Sequence, residues 1–314
     1  MVTEVINWLL NGDPVIRYQV HRDLLESGKE DLARSRLQIE IEDGWFQQIS
    51  SFQGEDMTWG HHIADHAWKG TLWVLNLLRR FSVPYEIVNF KEAVNLLINE
   101  GLQRDGGVNY DTAKNHSEVC ESGIVLSLLS YFKVKSQYRE AIFEFLIENQ
   151  MTDGGWNCRR LDGATHSSFH TTIMVLEGLR DYSLIDHQHL GTVSDLMFEG
   201  HEFLLEHQLF RSHTTYRVAT REILHFAFPP RLNYDVLTAM DYFQSINHRY
   251  DNRFKDAINL IRAKEENGKW LLEHEHIGEF WIKMEELHDI SRWNTLRALR
   301  VLRWWKKVTR YQSV

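Results

Sequence analysis

The stretch Gln150-Met151-Thr152-Asp153-Gly154-Gly155-Trp156 indicates the fold, because shortened copies of it recur along the chain. The other copies are Asp43-Gly44-Trp45, Asp105-Gly106-Gly107 with Gln103 upstream, and Asn267-Gly268-Lys269-Trp270. Asp or Asn followed by Gly permits the positive φ angle at which a helix stops, and a Trp side chain can cover the helix end. The signature therefore predicts structural clamps between repeated helical hairpins.

Apolar periodicity predicts six buried helical runs, which begin near Val15, His62, Ser117, Ser167, Arg231 and Ser291. Between them lie amphipathic segments that we expect to be outer helices, residues 85–103, 137–150, 192–208 and 252–266. Alternating inner and outer helices, six of each, predict an all-α fold, a closed (α/α)6 ring whose inner helices share one core. No Pro-, Gly- or Ser-rich linker divides the chain, so residues 1–314 form one predicted domain.

The composition excludes several classes of protein. With 43% apolar residues, 25% charged residues and four prolines, the 314-residue chain can bury a large core. Its net charge of −9 argues against a general nucleic-acid surface. The last helical run carries Arg297, Arg300, Arg303, Lys306 and Lys307. We interpret this run as a solvated basic face, and the alternative is a phosphate-binding site.

The cysteines and the hydropathy indicate where the protein works. Two cysteines, Cys120 and Cys158, cannot build a disulfide scaffold, and the sequence has no signal-like start. We therefore expect a cytoplasmic protein. No apolar run reaches the roughly 20 residues that span a bilayer, so no transmembrane segment is predicted.

The Gln-x-x-Asp-Gly-Gly-Trp signature resembles the repeat of the terpenoid cyclase and protein prenyltransferase superfamily. The resemblance implies the α/α toroid of that superfamily. In such a ring the amino-terminal ends of the inner helices converge at one mouth of a central cavity. Helix dipoles and free N–H groups there favour anions such as diphosphate. That mouth is the expected site.

A second resemblance concerns Glu118-Val119-Cys120, which is followed by Phe169-His170-Thr171. This pair is similar to the zinc motif of protein prenyltransferase β subunits, where an Asp-x-Cys and a Phe-His-Thr or Tyr-His-Thr begin neighbouring inner helices. The resemblance implies Glu118, Cys120 and His170 as ligands of one Zn²⁺ ion. It also implies Lys114 as a lysine that binds the diphosphate.

The residues themselves leave alternatives open. Glu118 and Cys120 are two positions apart, so on a regular helix they would diverge by about 200°. They can share a metal only across the start of the helix, with Ser117 or Asn115 as its N-cap. The alternative is a hydrogen-bonded His170 beside a buried thiol.

Further candidates surround this motif. Cys158 lies just beyond the Gly-Gly-Trp copy and could supply a fourth ligand, which would make the metal structural. His166 is a weaker competitor for that role. Arg231 follows Pro229-Pro230, two prolines that pre-set a rigid helix start, and is therefore a candidate diphosphate ligand. An ion pair between Arg231 and Asp235 is the alternative.

Two functions are compatible with these features. The first is Zn-dependent transfer of an isoprenoid from its diphosphate to a thiol or another nucleophile, in an aromatic-lined cavity that suits an apolar or isoprenoid substrate. The second is a non-catalytic toroid that binds a lipid or peptide, with a structural metal or none. The chain lacks the Asp-x-Asp-Asp of class II cyclases and the Asp-Asp-x-x-Asp of class I terpene synthases. Thiol-activating chemistry on a peptide, as in lanthionine cyclases, is a rival to prenyl transfer.

Overall fold

The fold is helical, as the sequence predicts. The structure, a computed structural model, describes residues 2–60, 68–111, 113–135, 137–212, 214–231, 234–275 and 277–310. The α-helices in these ranges are α1 (Val2–Leu10), α2 (Pro14–Gln19), α3 (Lys29–Ile41), α4 (Trp45–Ser50), α5 (Thr71–Arg80), α6 (Val88–Gly101), α7 (Val119–Tyr131), α8 (Tyr138–Glu148), α9 (Phe169–Ser183), α10 (Leu190–Glu206), α11 (Val236–Ser245), α12 (Lys255–Ala263) and α13 (Arg292–Arg310). The shorter elements are a π-helical turn (Val20–Leu24), two 3-10 turns (Glu222–Leu224 and Asn252–Phe254) and an antiparallel pair of strands, β1 (Trp270–Leu271) and β2 (Ile290–Ser291).

The predicted inner runs correspond to α2 with its π-helical turn, α5, α7, α9, α11 and α13. The predicted start of one run, near His62, lies outside the described residues. α11 begins at Val236 rather than at Arg231, and the reason is its cap. The Asp235 side chain accepts a hydrogen bond from the backbone N–H of Thr238 (2.6 Å), which stabilises the first turn.

The inner helices pack directly on one another. α7 packs against α5 and α9, α11 against α13, and α13 against α2. Glycines allow α7 and α9 to come close, since a Cβ atom built at Gly178 would lie 2.4 Å from the backbone oxygen of Gly123. Any larger side chain at Gly178 would force these two helices apart.

The outer helices cover the inner ones. Each packs on the inner helix that precedes it in the chain: α3 on α2, α6 on α5, α8 on α7, α10 on α9 and α12 on α11. α12 shows why, because it buries Ala257, Ile258 and Ile261 on one face and exposes charged residues such as Lys255 on the other. These contacts pair each of these predicted inner runs with a helix that follows it in the chain.

The repeated signature clamps helix ends through its tryptophans, as predicted. The indole N–H of Trp156 donates to the carbonyl of Leu146 in the last turns of α8 (2.8 Å), and that of Trp270 donates to Ile261 in α12 (2.7 Å). Gly154 has a φ of +89°, the left-handed conformation that the pattern requires. Each clamp therefore joins the end of an outer helix to the segment that leads into the next inner helix.

One further tryptophan clamp lacks the Asp-Gly signature, and one predicted copy of the signature does not form a clamp. Residues 53–59 form the extra clamp: the indole of Trp59 donates to the Ile49 carbonyl (2.9 Å). The left-handed position is occupied by Met57 (φ +65°), so a search for Asp-Gly could not find it. In the copy Asp43-Gly44-Trp45, Gly44 has an extended φ of −171° and Trp45 begins α4. This copy therefore starts a helix instead of closing one.

The prediction that the basic run of α13 is a solvated face is wrong for Arg297 and Arg300. Arg297 is 2% exposed and donates to Asp241 (3.1 Å) and to the Thr238 hydroxyl (2.9 Å). Arg300 is partly buried and pairs with Asp241 and Asp23. Carboxylates from α11 and from the π-helical turn make this burial possible, because a buried guanidinium group needs a paired charge.

Candidate metal centre

Glu118, Cys120 and Cys158 form a group that could hold a metal ion. A carboxylate oxygen and two Sγ atoms, one from each residue, all lie within 4.8 Å of one another. Two thiols and a carboxylate are ligand types that Zn²⁺ binds, at ligand bonds of about 2.0–2.3 Å in a tetrahedral arrangement. The donor set therefore fits Zn²⁺, with one position left for another ligand.

The start of α7 brings the carboxylate and the first thiol together. Glu118 is the N-cap residue, with an extended backbone (φ −95°, ψ 116°), and Cys120 is the second residue of the helix. The two side chains lie across the helix start, as expected, but the N-cap is Glu118 itself rather than Ser117 or Asn115. The Ser117 hydroxyl donates instead to Asp105 (2.5 Å).

The loop that follows Trp156 brings the second thiol. The Sγ atom of Cys158 accepts a hydrogen bond from the backbone N–H of Cys120 (3.0 Å), and the backbone N–H of Cys158 donates to the Thr171 hydroxyl (3.2 Å). This loop is thereby tied to the first turns of both α7 and α9. The N–H donor also orients the Cys158 sulfur, as hydrogen bonds to ligand atoms do in metal sites.

The electrostatics of the group favour a cation. A hydrogen bond with Cys158, burial and the nearby carboxylates raise the pKa of the Cys120 thiol well above its usual range. Glu118 forms an ion pair with Lys114. Burial, followed by the charge of Glu118, raises the pKa of Glu121 to about 7. A divalent cation would offset this negative charge and would release protons as it binds.

His170, the predicted third ligand, is not brought to this group. No ring nitrogen of His170 lies within 4.8 Å of all three ligand atoms, and its ring faces Tyr234, with 6.3 Å between centroids. Burial lowers the pKa of His170. Helix geometry explains the miss: Thr171 contacts Cys158, and neighbouring helix positions point about 100° apart. His166 is exposed and also lies outside the group.

Arg231, the predicted diphosphate ligand, is engaged elsewhere. Its guanidinium group donates to the carbonyls of Ile277 and Gly278 (2.8 Å each) and lies over the ring of Trp68, 4.9 Å from the centroid. Burial lowers the pKa of Arg231 to about 10. Its φ of +44° places it in the turn before α11. Arg231 thus fastens residues 277–278 to the region around Trp68.

A second group of possible ligands lies on the outside of the molecule. Glu140, Asp186 and His189 place ligand atoms within 4.8 Å of one another. Glu140 is exposed, and the Asp186 carboxylate already accepts from the Tyr182 hydroxyl (2.8 Å). Acidic surface groups of this kind are common without a metal, so this group is the weaker candidate.

Sequence reasoning missed a charged cavity of about 740 Å³. Residues at the carboxyl ends of inner helices line it, among them Arg80 of α5, Tyr131 of α7 and Ser183 of α9. A signal was present in the sequence, because Arg80 and Glu177 lie at the ends of strongly apolar runs. Charged residues in such positions are buried only when they are paired.

Comparison with known proteins did not assign a family to the chain. A scan against protein-family models found no match, and a search of the curated proteins found none either. Within the described ranges, no helix combines the length and the apolar character that crossing a membrane requires. The functional argument therefore rests on the geometry of the site.

Proposed function

We propose that the chain is an (α/α)6 toroid of the terpenoid cyclase and protein prenyltransferase type. The regular packing of each outer helix on the preceding inner helix supports this architecture. The contact of α13 with α2 supports it further, because it joins the last inner helix to the first. The clamp tryptophans at the ends of outer helices fit the same repeat.

In this proposal Glu118, Cys120 and Cys158 hold Zn²⁺ at the start of α7. The convergence of their three ligand atoms within 4.8 Å carries the proposal. When bound, the ion would stabilise a thiolate near neutral pH and leave one position for a fourth ligand. Lys114 orients the Glu118 carboxylate through their ion pair, and the backbone N–H of Cys120 orients the Cys158 sulfur.

The proposed activity is transfer of an isoprenoid from its diphosphate to a thiol. The thiol first gives its proton to solvent. Its sulfur then forms a bond to the isoprenoid carbon while the bond from that carbon to the diphosphate oxygen breaks, and the diphosphate leaves with the electron pair. The amino-terminal ends of α7 and α9 flank the group, and the positive ends of their helix dipoles favour an anionic leaving group. Lys114 adds a positive charge beside them.

A specific observation favours a second function, a non-catalytic toroid with a structural metal. Arg231 is occupied by the carbonyls of Ile277 and Gly278, and the large cavity lies at the other end of α7, about 16 Å from Cys120 at 1.5 Å per residue. Neither feature offers an isoprenoid a place beside the thiols. In this second function the metal would tie the loop after Trp156 to α7.

Metal analysis of the purified protein tests the site. We expect one zinc per chain, lost in both Cys120→Ser and Cys158→Ser, because a hydroxyl stays protonated near neutral pH and binds Zn²⁺ poorly. His170→Ala is the matched control and is expected to keep its zinc. Glu140→Gln tests the outer group and is also expected to keep it. Zinc retained by both cysteine variants would contradict the proposed centre.

Turnover and thermal unfolding separate the two functions. The zinc-loaded protein is incubated with geranyl diphosphate and a cysteine-containing peptide, and thioether and free diphosphate are measured. A transferase forms both products, and its Cys120→Ser variant stays folded, because a chain of this length gains most of its stability from its core. Absence of turnover, together with a large fall in Tm when zinc is removed, would indicate a structural metal.

A further inference from the structure

Residues of all six inner helices, including the π-helical turn that continues α2, line the cavity of about 740 Å³, and all of them except α7, which contributes Tyr131, supply charged side chains. Among the described residues, six arginines and four carboxylates line it. The arginines are Arg22, Arg79, Arg80, Arg180, Arg297 and Arg300, and the carboxylates are Asp23, Glu177, Asp181 and Asp241. The lining side chains therefore carry an excess of two positive charges.

The first cluster of charges joins α5 to α9. Glu177 accepts from Arg79 (2.5 Å) and from Arg80 (2.8 Å), and Asp181 pairs with Arg79 (2.9 Å) and with Arg180 (2.8 Å). Burial alone would raise the pKa of Glu177, but the charges of Arg80 and Arg79 lower it to about 2. Both carboxylates are thus already shared between two arginines, and Glu177 is ionised at neutral pH.

The second cluster joins α11, α13 and the π-helical turn. Asp241 pairs with Arg297 (3.1 Å) and Arg300 (2.5 Å), and Asp23 pairs with Arg300 (2.9 Å) and Arg22 (2.5 Å). Burial opposes ionisation of Asp241, but Arg300 and Arg297 lower its pKa to about 2. Every carboxylate in the lining is therefore shared by two arginines, and the excess of positive charge remains.

Two of these arginines, Arg80 and Arg297, are not fully hydrogen-bonded by the described residues. The Nε atom of Arg80 and the Nη1 atom of Arg297 are buried and have no hydrogen-bond partner among the described residues. Burial, and then repulsion from Arg79, Arg297 and Arg180, lower the pKa of Arg80 to about 10 even though Glu177 opposes this. The carboxyl ends of α5 and α9 offset some positive charge but give these two nitrogens no acceptor. Such buried charges cost free energy, and an anion bound in the adjoining cavity would offset part of that cost electrostatically.

We propose that this cavity binds a small organic molecule that carries a phosphate or carboxylate group. Guanidinium groups match both oxyanions with paired hydrogen bonds. The volume lies within the range of ligand pockets, about 300–1,000 Å³, so the ligand is larger than an inorganic ion. Gln244 and Tyr242 also line the cavity, together with apolar side chains such as Leu184 and Trp293, and this mixed lining suits an organic ligand that carries an oxyanion group. The site is independent of the metal group at the opposite end of α7.

Isothermal titration calorimetry with two probes, inorganic diphosphate and citrate, tests this proposal. Binding of diphosphate indicates a phosphorylated ligand, and binding of citrate indicates a polycarboxylate. Arg80→Gln is expected to raise the Kd at least tenfold. Arg34→Gln removes the same charge from an exposed position on α3, so it is expected to bind as the unaltered protein does. Binding is expected to persist in EDTA, which separates this site from the proposed metal centre.

A second variant decides the matter if Arg80→Gln does not fold. Gln244→Glu keeps the size of a lining side chain and adds one negative charge to the cavity. It is expected to raise the Kd for the bound probe severalfold, because it reduces the excess positive charge. If neither probe binds, or if the folded cavity variants bind with unchanged Kd, the cavity is not an oxyanion site.

Discussion

Glu177→Gln tests whether one buried carboxylate stabilises the fold. The Glu177 side chain is 7% exposed and faces two guanidinium groups, Arg79 at 2.5 Å and Arg80 at 2.8 Å. Glutamine keeps the shape of the side chain but removes its charge. Removing one partner of a buried ion pair costs about 3–5 kcal/mol, because the remaining charge is left uncompensated.

The pKa of Glu177 gives a second magnitude and a pH window. Burial would raise this pKa, but Arg80 and Arg79 lower it from 4.5 to about 2. At about 1.4 kcal/mol per pH unit, lowering this pKa from 4.5 to about 2 corresponds to about 3 kcal/mol of stability. Because the pKa is depressed in the folded state, this contribution is present above pH 4.5 and is lost as the pH falls toward 2.

Urea unfolding followed by circular dichroism at pH 7 and pH 3 measures the effect. We expect Glu177→Gln to lose about 3 kcal/mol of unfolding free energy at pH 7, and about half as much at pH 3. Glu144→Gln, at an exposed position on α8, is the matched control and should change stability by less than about 0.5 kcal/mol. A loss below about 1 kcal/mol at pH 7, or a difference that does not narrow at pH 3, would contradict a stabilising role of the Glu177 charge.

Three further predictions concern packing and are checked by denaturant unfolding. Gly154→Ala is expected to reduce the free energy of unfolding by more than about 2 kcal/mol, because a Cβ atom there would lie 2.5 Å from a backbone oxygen of α10. Gly163 has a similar φ but lies in open space, so Gly163→Ala should cost only about 1 kcal/mol. Trp156→Phe is expected to cost about 1–3 kcal/mol, since it leaves the Leu146 carbonyl without its indole donor, and an unchanged midpoint would exclude the clamp. Gly178→Ala should cost about 1–3 kcal/mol by forcing α9 away from α7, and a neutral effect would contradict their close packing.

The clamps were predictable because their causes are local. A left-handed turn after an outer helix needs Gly or Asn, and a Trp three residues after the Asp reaches the helix end, so both features appear in a short window of sequence. The clamp of Trp59, which was not predicted, lacks this local signature. Met57 adopts the left-handed φ (+65°) without the favoured residue type, so the clamp of Trp59 could be found only from its hydrogen bond to Ile49.

The candidate metal centre was predictable only in part. Glu118 and Cys120 are close in sequence, and their position across a helix start follows from local backbone geometry. The third ligand depends on how α9 is rotated about its axis. A rotation of about 100° per residue decides whether His170 or Thr171 faces the loop of Cys158, and packing against neighbouring helices sets that rotation.

Local sequence patterns were enough to predict a helical chain, because hydrophobic periodicity and turn chemistry act over a few residues. Which charged residues are buried depends instead on the packing of distant segments. Arg297 and Arg300 looked like a solvated face, yet they meet Asp241, more than fifty positions earlier, and Arg300 also meets Asp23 near the start of the chain. A guanidinium group becomes stable inside a protein only when a distant segment supplies its carboxylate, and no local pattern records that partner.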